Sequence, residues 1–352
     1  QLNLYFKKQS IMKKKNLSVK KKIHNFYLKK LDDPKIRKIY INFKKKLSDH
    51  ISNKFCVAVS GGADSMALSF LAKCYSLEKN INVSFFIVDH KLRKNSTYEA
   101  NLVKSKLKQF KIRSEILTIK KKIKSSNLQS FARENRYKLI FKNSLNKKID
   151  IVLTAHHRDD LLENFFIRLL RGSGLKGLIS FGKLRSKVYN DDKIFILRPL
   201  IDLSKKDLTY VVKHTFDFNV EDPSNFEDKF LRVKIRDLIT KLEKEGLSFE
   251  KFKLSLDHLG KSNSAIDYYV KKNITNNSNF LIPPQIVVLK EKFLKQPDEI
   301  VFRSFSEIIQ KVGKRKSYTR GLKVENLINY LRFSKNIKKK TLSGCIIQKI
   351  NN

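Results

Sequence analysis

The segment Phe55–Ser65 constrains the fold of this chain more than any other part of the sequence. Apolar residues suited to a buried strand lead into Ser60-Gly61-Gly62, and a helical pattern begins directly afterwards. A strand, a glycine turn and a helix N-terminus present backbone N–H groups and the positive end of a helix dipole to an anion. The glycines also let phosphate oxygens approach the backbone without meeting a Cβ atom. The spacing is neither that of a Walker loop nor that of a dinucleotide fingerprint, yet it predicts a phosphate-binding loop.

Asp64 narrows the ligand that this loop is expected to bind. A carboxylate beside phosphates repels them unless a cation lies between, so Asp64 indicates a nucleotide with Mg²⁺ or an ammonium group nearby. Ser60 and Ser65 add hydroxyl donors. The alternative is a tight turn in which Asp64 or Ser65 is an ordinary N-terminal helix cap. We favour the nucleotide site because strand, loop and helix follow in the order that the motif requires.

The charge of the chain indicates a polyanionic partner. Its 352 residues include 76 Lys and Arg against 33 Asp and Glu, which gives a formal net charge of +43. A field of this size attracts nucleic acid or an acidic membrane surface. An AT-biased genome and solvated charge runs also enrich lysine, but the imbalance is too large for codon bias alone. We therefore expect a nucleic acid partner.

Membrane and secretion signals are not expected in this sequence. No apolar stretch approaches the roughly 20 residues that cross a bilayer, and lysines interrupt the N-terminal residues where a signal peptide would have its apolar core. Cys56, Cys74 and Cys345 are scattered and form no C-x-x-C pair, so neither a zinc ribbon nor an iron–sulfur site is indicated. The free thiols predict a reduced, cytoplasmic compartment.

Short apolar strands alternate with helices in the first two thirds of the chain. Strands are predicted at 55–59, 83–88, 112–119, 150–155 and 194–197, and helices at 64–78, 96–110, 127–146, 158–171 and 204–218. Ser96 and Glu99 have the spacing of a capping box at the start of the second of these helices. The alternation predicts an α/β fold with a doubly wound parallel sheet, which binds ligands at the carboxyl ends of its strands.

Three regions are predicted along the chain: a basic, loosely ordered extension over 1–33, an α/β catalytic domain over 34–244 and a mainly helical domain over 245–352. The catalytic domain opens with a helix from Pro34. Further helices are predicted at 227–244, 248–272, 301–312 and 322–334, with a chain break at Pro283-Pro284 and one short strand at 341–348.

A second polar block follows the fourth predicted strand. Asp160 and Glu163 lie three residues apart on a predicted helix and therefore on one face of it. Two carboxylates near a phosphate site suit Mg²⁺ or a substrate ammonium group. Taken alone, Asp159 and Asp160 would be explained by stabilisation of the helix dipole, and His156 by a structural hydrogen bond. Beside the glycine loop, we favour a functional site.

Together these motifs resemble those of the tRNA(Ile)-lysidine synthetase family, within the N-type ATP pyrophosphatase (PP-loop) superfamily. The glycine loop alone marks the superfamily, and the His-His-x-Asp-Asp-x-x-Glu, Arg-Gly-Ser-Gly and Glu-Asp-Pro-Ser-Asn blocks narrow it to the family. The resemblance covers roughly residues 50–240, on Ser60–Ser65, Val88–His90, Leu92-Arg93, Glu99-Ala100, Ala132–Tyr137, Ala155–Gly174, Arg198–Leu200, Glu221–Asn225 and Leu231–Arg236. The C-terminal part matches only in its helical character and its closing Leu-Ser-Gly-Cys strand.

The resemblance implies an adenine nucleotide alpha hydrolase-like fold and an ATP-dependent ligase. Its substrate would be the wobble cytidine of the isoleucine tRNA, tRNA(Ile), that carries a CAU anticodon. ATP would activate the cytosine C2 oxygen as an adenylate with loss of pyrophosphate. The ε-amine of free L-lysine would then displace AMP to give lysidine, so that the tRNA reads AUA and accepts isoleucine. Mg²⁺ is the implied metal, and a homodimer is among the expected oligomeric states.

The resemblance also assigns roles to individual residues. The nucleotide would be bound by Ser60, Gly61, Gly62, Ala63, Asp64, Ser65 and His90, and the metal by Asp64 and Asp160. The implied catalytic residues are Asp64, Asp160 and Glu163 for lysine and metal handling, and His156, Arg232 and Arg236 near phosphate or the adenylated base. The family often has Arg-Asn-Arg-Ile-Arg at 232–236, and Val233 here lacks the amide of that pattern. The 245–352 domain is expected to bind tRNA, with the 1–33 extension as a salt-dependent arm on the tRNA backbone.

Other functions remain open at this point. A tRNA thiolase of the same superfamily would also activate a base with ATP, but it uses cysteines near the site, and Cys56 lies inside the predicted strand. A glutamine-dependent amidotransferase would need a glutaminase half or an N-terminal Cys. A non-catalytic RNA-binding protein would explain the charge and leave Asp64, Asp160 and Glu163 without a purpose.

Overall fold

A computed structural model of the chain describes residues 25–51, 53–91, 95–119, 128–182, 184–189, 192–220, 226–282, 285–313, 321–334 and 337–349. The chain divides into two compact units, Gln1–Leu247 and Ser248–Asn352. Most of the predicted 1–33 extension, the Glu221–Asn225 block and the Pro283-Pro284 break lie outside the described residues. Among the helices in the described ranges, none combines the length and the apolar character needed to cross a bilayer.

A six-stranded sheet forms the centre of the first unit, with strand order β3-β2-β1-β4-β6-β5. The strands are β1 (Lys54–Val59), β2 (Asn82–Asp89), β3 (Ser114–Thr118), β4 (Ile151–Leu153), β5 (Leu184–Tyr189) and β6 (Asp192–Leu197). Five of them run parallel, and β5 pairs antiparallel with β6 at the edge. The predicted α/β parallel sheet is therefore confirmed. β5 is a strand that the sequence reasoning did not predict, because its Leu-Arg-Ser-Lys-Val-Tyr pattern is only half apolar, as suits an edge strand.

Helices connect the strands, as parallel pairing requires. They are α1 (25–30), α2 (Pro34–Ser48), α3 (Ala63–Lys79), α4 (Ser96–Gln109), α5 (Leu128–Asn146), α6 (Arg158–Leu170), α7 (Leu175–Leu178), α8 (Lys205–Thr215) and α9 (Phe226–Lys244). α3 is the most deeply buried of the helices that follow a strand, and Met66, Phe70 and Leu71 are fully buried in the core with Phe55 and Val57 of β1. This burial fixes the loop between β1 and α3 relative to the sheet.

The predicted capping box at Ser96 is wrong. The N-cap of α4 is Asn95, which makes no side-chain cap hydrogen bond, and Ser96 is already the first helical residue. The Ser96 hydroxyl instead donates to Asp89 Oδ1 at 2.8 Å, and the Thr97 hydroxyl donates to Asp89 Oδ2 at 2.7 Å. A buried carboxylate at the end of β2 competes successfully for the hydroxyl, because a charge-assisted hydrogen bond is stronger than a neutral cap.

The second unit combines helices with two small hairpins. Its elements are α10 (Phe249–Asn277), β7 (Ser278–Ile282), β8 (Ile286–Leu289), α11 (Glu291–Leu294), α12 (Asp298–Val312), α13 (Gly321–Phe333), β9 (Lys340–Leu342) and β10 (Cys345–Ile347). The β7–β8 hairpin was not predicted. The single strand expected at 341–348 is wrong, because Ser343 and Gly344 both have positive φ, +52° and +84°, and turn the chain between two antiparallel strands.

Candidate active site

The loop between β1 and α3 is held together by one buried hydroxyl. Ser65 Oγ accepts hydrogen bonds from the backbone N–H groups of Ser60 at 3.2 Å and Gly61 at 3.0 Å, and it donates to the Gly62 carbonyl at 2.9 Å. The Ser60 hydroxyl also donates to Ser65 Oγ, at 3.2 Å. Ser65, predicted as a hydroxyl donor to phosphate, therefore has a full set of bonds within the loop, and its role is to shape it.

Glycine occupies positions 61 and 62 of the loop for different physical reasons. Gly61 has φ +91°, and a Cβ atom there would lie 2.5 Å from Cγ2 of Val103, so the fold itself requires glycine. Gly62 has φ −66°, which any residue adopts, and the nearest protein atom to its Cβ position is 3.9 Å away. Gly62 is the N-cap of α3 and has no side chain to bond the first-turn amides of the helix. Those amides, including the ones of Ala63 and Asp64, are therefore available to an anion.

A buried imidazole joins the carboxylates that follow β1 and β4. His157 is 4% exposed, and its Nε2 lies 3.6 Å from Asp64 Oδ2 and 3.5 Å from Asp160 Oδ2. Burial lowers the pKa of His157, but the hydrogen bond with Asp64 and the charge of Asp160 outweigh it and raise the pKa above its ordinary value. Burial likewise raises the pKa of Asp64, and His157 and Lys205 outweigh it and lower that pKa. The site thus has an imidazole whose Nε2 faces two carboxylates.

His157 was not among the predicted site residues, although the sequence carries a signal for it. It is the N-cap of α6: its ring accepts from the Asp159 N–H, and the Asp160 carboxylate accepts from the His157 N–H at 3.0 Å. The spacing His157-x-x-Asp160 is that of a capping box with an imidazole in place of the usual hydroxyl. Asp160 therefore has both the predicted structural role at the first turn of α6 and a place in the carboxylate cluster.

One carboxylate oxygen of this cluster makes no hydrogen bond within the described residues. Asp64 Oδ1 is buried and finds no hydrogen-bond partner among the residues that the structure describes. A buried, ionised carboxylate oxygen without a partner is costly, and a cation is the ligand that satisfies it. Across the described parts of the chain, no group of three or more His, Cys, Asp or Glu side chains could hold a metal ion by itself. The residues present therefore fit Mg²⁺ in its usual form, with one or two carboxylates and ligands from phosphate.

His156 has the opposite electrostatic character to its neighbour. Burial and the charge of Arg198 lower the pKa of His156 to about 3, so the ring is neutral near pH 7. Arg198 Nε donates to His156 Nδ1 at 3.3 Å, and Thr154 Oγ1 lies 3.0 Å from the same nitrogen. Because a guanidinium can only donate, Nδ1 must be the acceptor, and the proton of the neutral ring is on Nε2. His156 is thus fixed as a hydrogen-bond donor and not as a base.

Arg198 was part of the family pattern but not among the predicted site residues. It is 2% exposed, donates from Nη1 to the Gly182 carbonyl at 2.6 Å and stacks over the Phe181 ring at 4.5 Å. The His156 ring meets the same Phe181 edge-on, with centroids 5.0 Å apart. A buried cation whose donors point at a backbone carbonyl and an imidazole holds that imidazole in one orientation. The signal in the sequence was Arg198-Pro199-Leu200, directly after an apolar strand.

Glu163 and Arg236 form an ion pair on the side of α6 that faces α9. Arg236 Nε donates to Glu163 Oε1 at 2.6 Å, with Glu163 buried and Arg236 exposed. The hydrogen bond with Glu163 raises the pKa of Arg236, and the charges of Asp160 and Asp159 add to it. Arg232 lies one turn earlier on α9 and is partly buried. The structure thus brings Glu163 and Arg236 together and places Arg232 one turn from Arg236 on α9.

His90 lies at the carboxyl end of β2, where ligands of such sheets bind. Its Nε2 accepts a hydrogen bond from Arg136 Nε at 3.1 Å. Next to it, Asp89 is buried and binds the Lys91 N–H and the Ser96 and Thr97 hydroxyls, which lowers the pKa of Asp89 despite its burial. Asp89 therefore links Lys91, which follows His90, to the first turn of α4.

Comparisons with known proteins identify the class first. The PP-loop domain family matches residues 35–243, which span the whole sheet and the site. A solved U34-tRNA thiolase from Methanococcus maripaludis has the same fold, with a TM-score of 0.54 and 19% sequence identity over 64% of this chain and 79% of that chain.

Curated relatives identify the family within that class. The tRNA(Ile)-lysidine synthase of Rickettsia felis is 32% identical over 327 residues, covering 89% of this chain and 72% of the relative. The tRNA(Ile)-lysidine synthase of Orientia tsutsugamushi is 30% identical over 302 residues, covering 84% and 67%. The chain belongs to the tRNA(Ile)-lysidine synthase family of PP-loop proteins. The predicted family is confirmed.

Proposed function

We infer that this chain is an ATP-dependent ligase that joins lysine to C2 of the wobble cytidine of the isoleucine tRNA with a CAU anticodon. The products are lysidine in the tRNA, AMP and pyrophosphate. The observation that carries the proposal is the juxtaposition of an open helix N-terminus with the Asp64–His157–Asp160 cluster, in a chain whose relatives are lysidine synthases. An anion site beside a carboxylate site suits a reaction between a nucleotide and an amine.

The first turn of α3 would bind the phosphates. The amides after Gly62 and the helix dipole offset phosphate charge, and the Ser65 hydroxyl keeps the loop in the shape that exposes them. His156 Nε2–H supplies a neutral donor that does not change charge with pH in the working range. A neutral donor suits an oxygen whose charge grows during the reaction, because it stabilises that charge without holding the product ion tightly.

Mg²⁺ would be held by Asp64 and Asp160, and the partnerless Asp64 Oδ1 supports this assignment. When bound, it would supply positive charge to the phosphates, which otherwise repel these carboxylates. In this structure His157 Nε2 lies between the two carboxylates.

The carboxylates on α6 and α3 would bind the ammonium group of the substrate lysine. A nucleophilic amine must be neutral, so a group that binds the ammonium form and then accepts its proton is needed. Asp160 is the better candidate, because the Glu163 carboxylate already binds Arg236. Arg236 and the partly buried Arg232 then face the phosphate or the activated base as cations.

Nucleoside analysis tests the function. Purified chain is incubated with ATP, Mg²⁺, labelled lysine and the isoleucine tRNA transcript, and the tRNA is then digested. Label in a lysidine nucleoside and stoichiometric pyrophosphate are expected, with no label in the methionine tRNA that shares the anticodon. ATP-dependent release of pyrophosphate without incorporation of lysine would contradict the proposal.

A tRNA thiolase is the second candidate, and the cysteines argue against it. Cys56, Cys74 and Cys345 are each buried. Burial raises the pKa of Cys56 to about 12, which removes the thiolate that sulfur transfer requires. Dimerisation and a cytoplasmic location stay predictions, and sedimentation of the purified chain would check the first.

A further inference from the structure

The long helix α10 has two faces of opposite character. Its buried face consists of Phe252, Asn263, Val270, Asn273 and Ile274. On the opposite side, exposed residues recur at alternating spacings of four and three, which keeps them on one stripe of a helix. We call the C-terminal half of that stripe the tyrosine face, and its residues are Lys261, Ala265, Tyr268, Tyr269 and Lys272.

Two aromatic rings stand out from this face. Tyr268 is 62% exposed and Tyr269 is 54% exposed, and their rings meet edge to face with centroids 5.3 Å apart. Lys261 and Lys272 lie on either side along the helix, about 16 Å apart at the usual rise per residue. Rings that are exposed between cations are the arrangement that stacks bases and contacts phosphates in single-stranded RNA.

A buried arginine binds the carboxylate that lies next to the tyrosine face. Asp267 is the only carboxylate from Lys261 to Asn277, and it lies next to Tyr268 in the sequence. Its Oδ1 accepts from Arg303 Nη1 at 3.2 Å, and its Oδ2 accepts from Asn263 Nδ2 at 2.8 Å. Arg303 is 6% exposed and also donates to Glu299, so these contacts hold the Asp267 carboxylate on the α12 side of α10. The charged residues of the tyrosine face itself are lysines.

We propose that the tyrosine face binds the tRNA substrate, with Tyr268 and Tyr269 stacking on unpaired bases and Lys261 and Lys272 contacting the adjoining phosphates. The proposal rests on the proposed function for the identity of the RNA. A second copy of the chain fits this face less well, because like-charged lysines would oppose each other across a symmetric contact. Charge complementarity with a polyanion favours RNA.

The test compares variants of the full-length chain by fluorescence anisotropy with labelled isoleucine tRNA transcript at several salt concentrations. The double change Tyr268→Ala with Tyr269→Ala is expected to weaken binding at least about 25-fold, since stacking of each base contributes at least about fivefold. Tyr268→Phe with Tyr269→Phe should bind like the unchanged chain, because a phenyl ring stacks equally well. Tyr98→Ala is the matched control: Tyr98 is 69% exposed on α4 of the first unit.

Lysine incorporation and salt dependence give independent readouts. The alanine double variant should raise the KM for tRNA and leave kcat at saturating tRNA within about twofold, since none of the candidate active-site residues belongs to the tyrosine face. Lys261→Ala with Lys272→Ala should reduce the slope of log K against log salt by about 1.5.

Two results would overturn the proposal. One is unchanged tRNA affinity in the Tyr268→Ala, Tyr269→Ala variant. The other is a change of its sedimentation coefficient from dimer to monomer, which would make the face a protein interface. If no tRNA is modified by the unchanged chain, the proposed function fails, whereas the binding comparison still decides the role of the tyrosine face.

Discussion

The N-termini of α3 and α6 follow neighbouring parallel strands and differ in whether a side chain caps their first-turn amides. At α3 the N-cap is Gly62, which leaves the first-turn amides to a ligand. At α6 the N-cap is His157, whose ring and backbone exchange hydrogen bonds with the first turn through Asp159 and Asp160. The N-terminus of α3, which we call the open end, can bind an anion with its backbone. The N-terminus of α6, which we call the closed end, can contact a ligand only through side chains, and its carboxylate Asp160 shares His157 with Asp64 of α3.

Gly62→Val tests the open end and has the largest expected effect. Its backbone conformation accepts a side chain and the protein leaves room for Cβ, so the fold should persist while the side chain enters the space of the phosphate. We expect pyrophosphate release to fall at least about a hundredfold, as for loss of other oxyanion donors. Gly61→Ala is the contrast: positive φ and the Val103 contact should lower the unfolding free energy by about 1–2 kcal/mol or more.

Thermal and urea unfolding separate the two glycine variants. Full activity in Gly62→Val would show that the α3 N-terminus is not the phosphate site.

Asp160→Asn tests the closed end through its charge. Asparagine can still accept the His157 N–H bond, so α6 should keep its cap while the negative charge is lost. The KM for lysine should rise about 10- to 100-fold, since a charge-assisted contact contributes about 1.5–3 kcal/mol. The KM for ATP should change far less, because Asp64, with its partnerless oxygen, would still hold Mg²⁺. Asp159→Asn is the matched control, and equal effects of the two variants on lysine would remove Asp160 from the lysine site.

The adjacent His156 gives the closed end a pH signature. Its folded pKa of about 3 lies below the unfolded value of about 6.5, so its stabilising contribution is complete above pH 6.5 and is lost as the pH falls toward 3. Between pH 6 and 4.5 we expect the unfolding free energy to decline by up to about 1.4 kcal/mol per pH unit. The folded pKa of His157 is raised, so the contribution of His157 changes mainly above about pH 6.5 and not in this range.

Urea unfolding at several pH values measures this slope, and His156→Asn should remove it. The same slope in the variant would assign the acid sensitivity to another group.

Ser204→Ala has the smallest expected effect, because it removes a helix cap that includes none of the predicted site residues. Ser204 and Asp207 form a capping box at the start of α8. The substitution should lower the unfolding free energy by about 1 kcal/mol and change turnover by less than about twofold. A larger loss of turnover than of stability would place Ser204 in the site.

The sequence by itself determined the parts that depend on local order. Phe55–Ser65 specifies strand, glycine turn and helix within a few residues, and the alternation of apolar strands and helices specifies a parallel sheet. The family pattern then named most of the residues that meet at the carboxyl ends of β1, β2 and β4. The prediction of strand, loop and helix held because steric and hydrogen-bond rules along the chain act within a turn or two.

Only the tertiary structure decided which partner each polar group takes. Ser96 leaves its expected cap for Asp89, Glu163 pairs with Arg236 from a distant helix, and Arg198 fixes the tautomer of His156. The last two contacts join residues 73 and 42 positions apart in sequence. The strength of all three depends on burial, which spacing does not reveal. The opposite pKa directions of His156 and His157 have the same origin: adjacent residues point into environments built by different strands and helices, one beside an arginine and one among carboxylates.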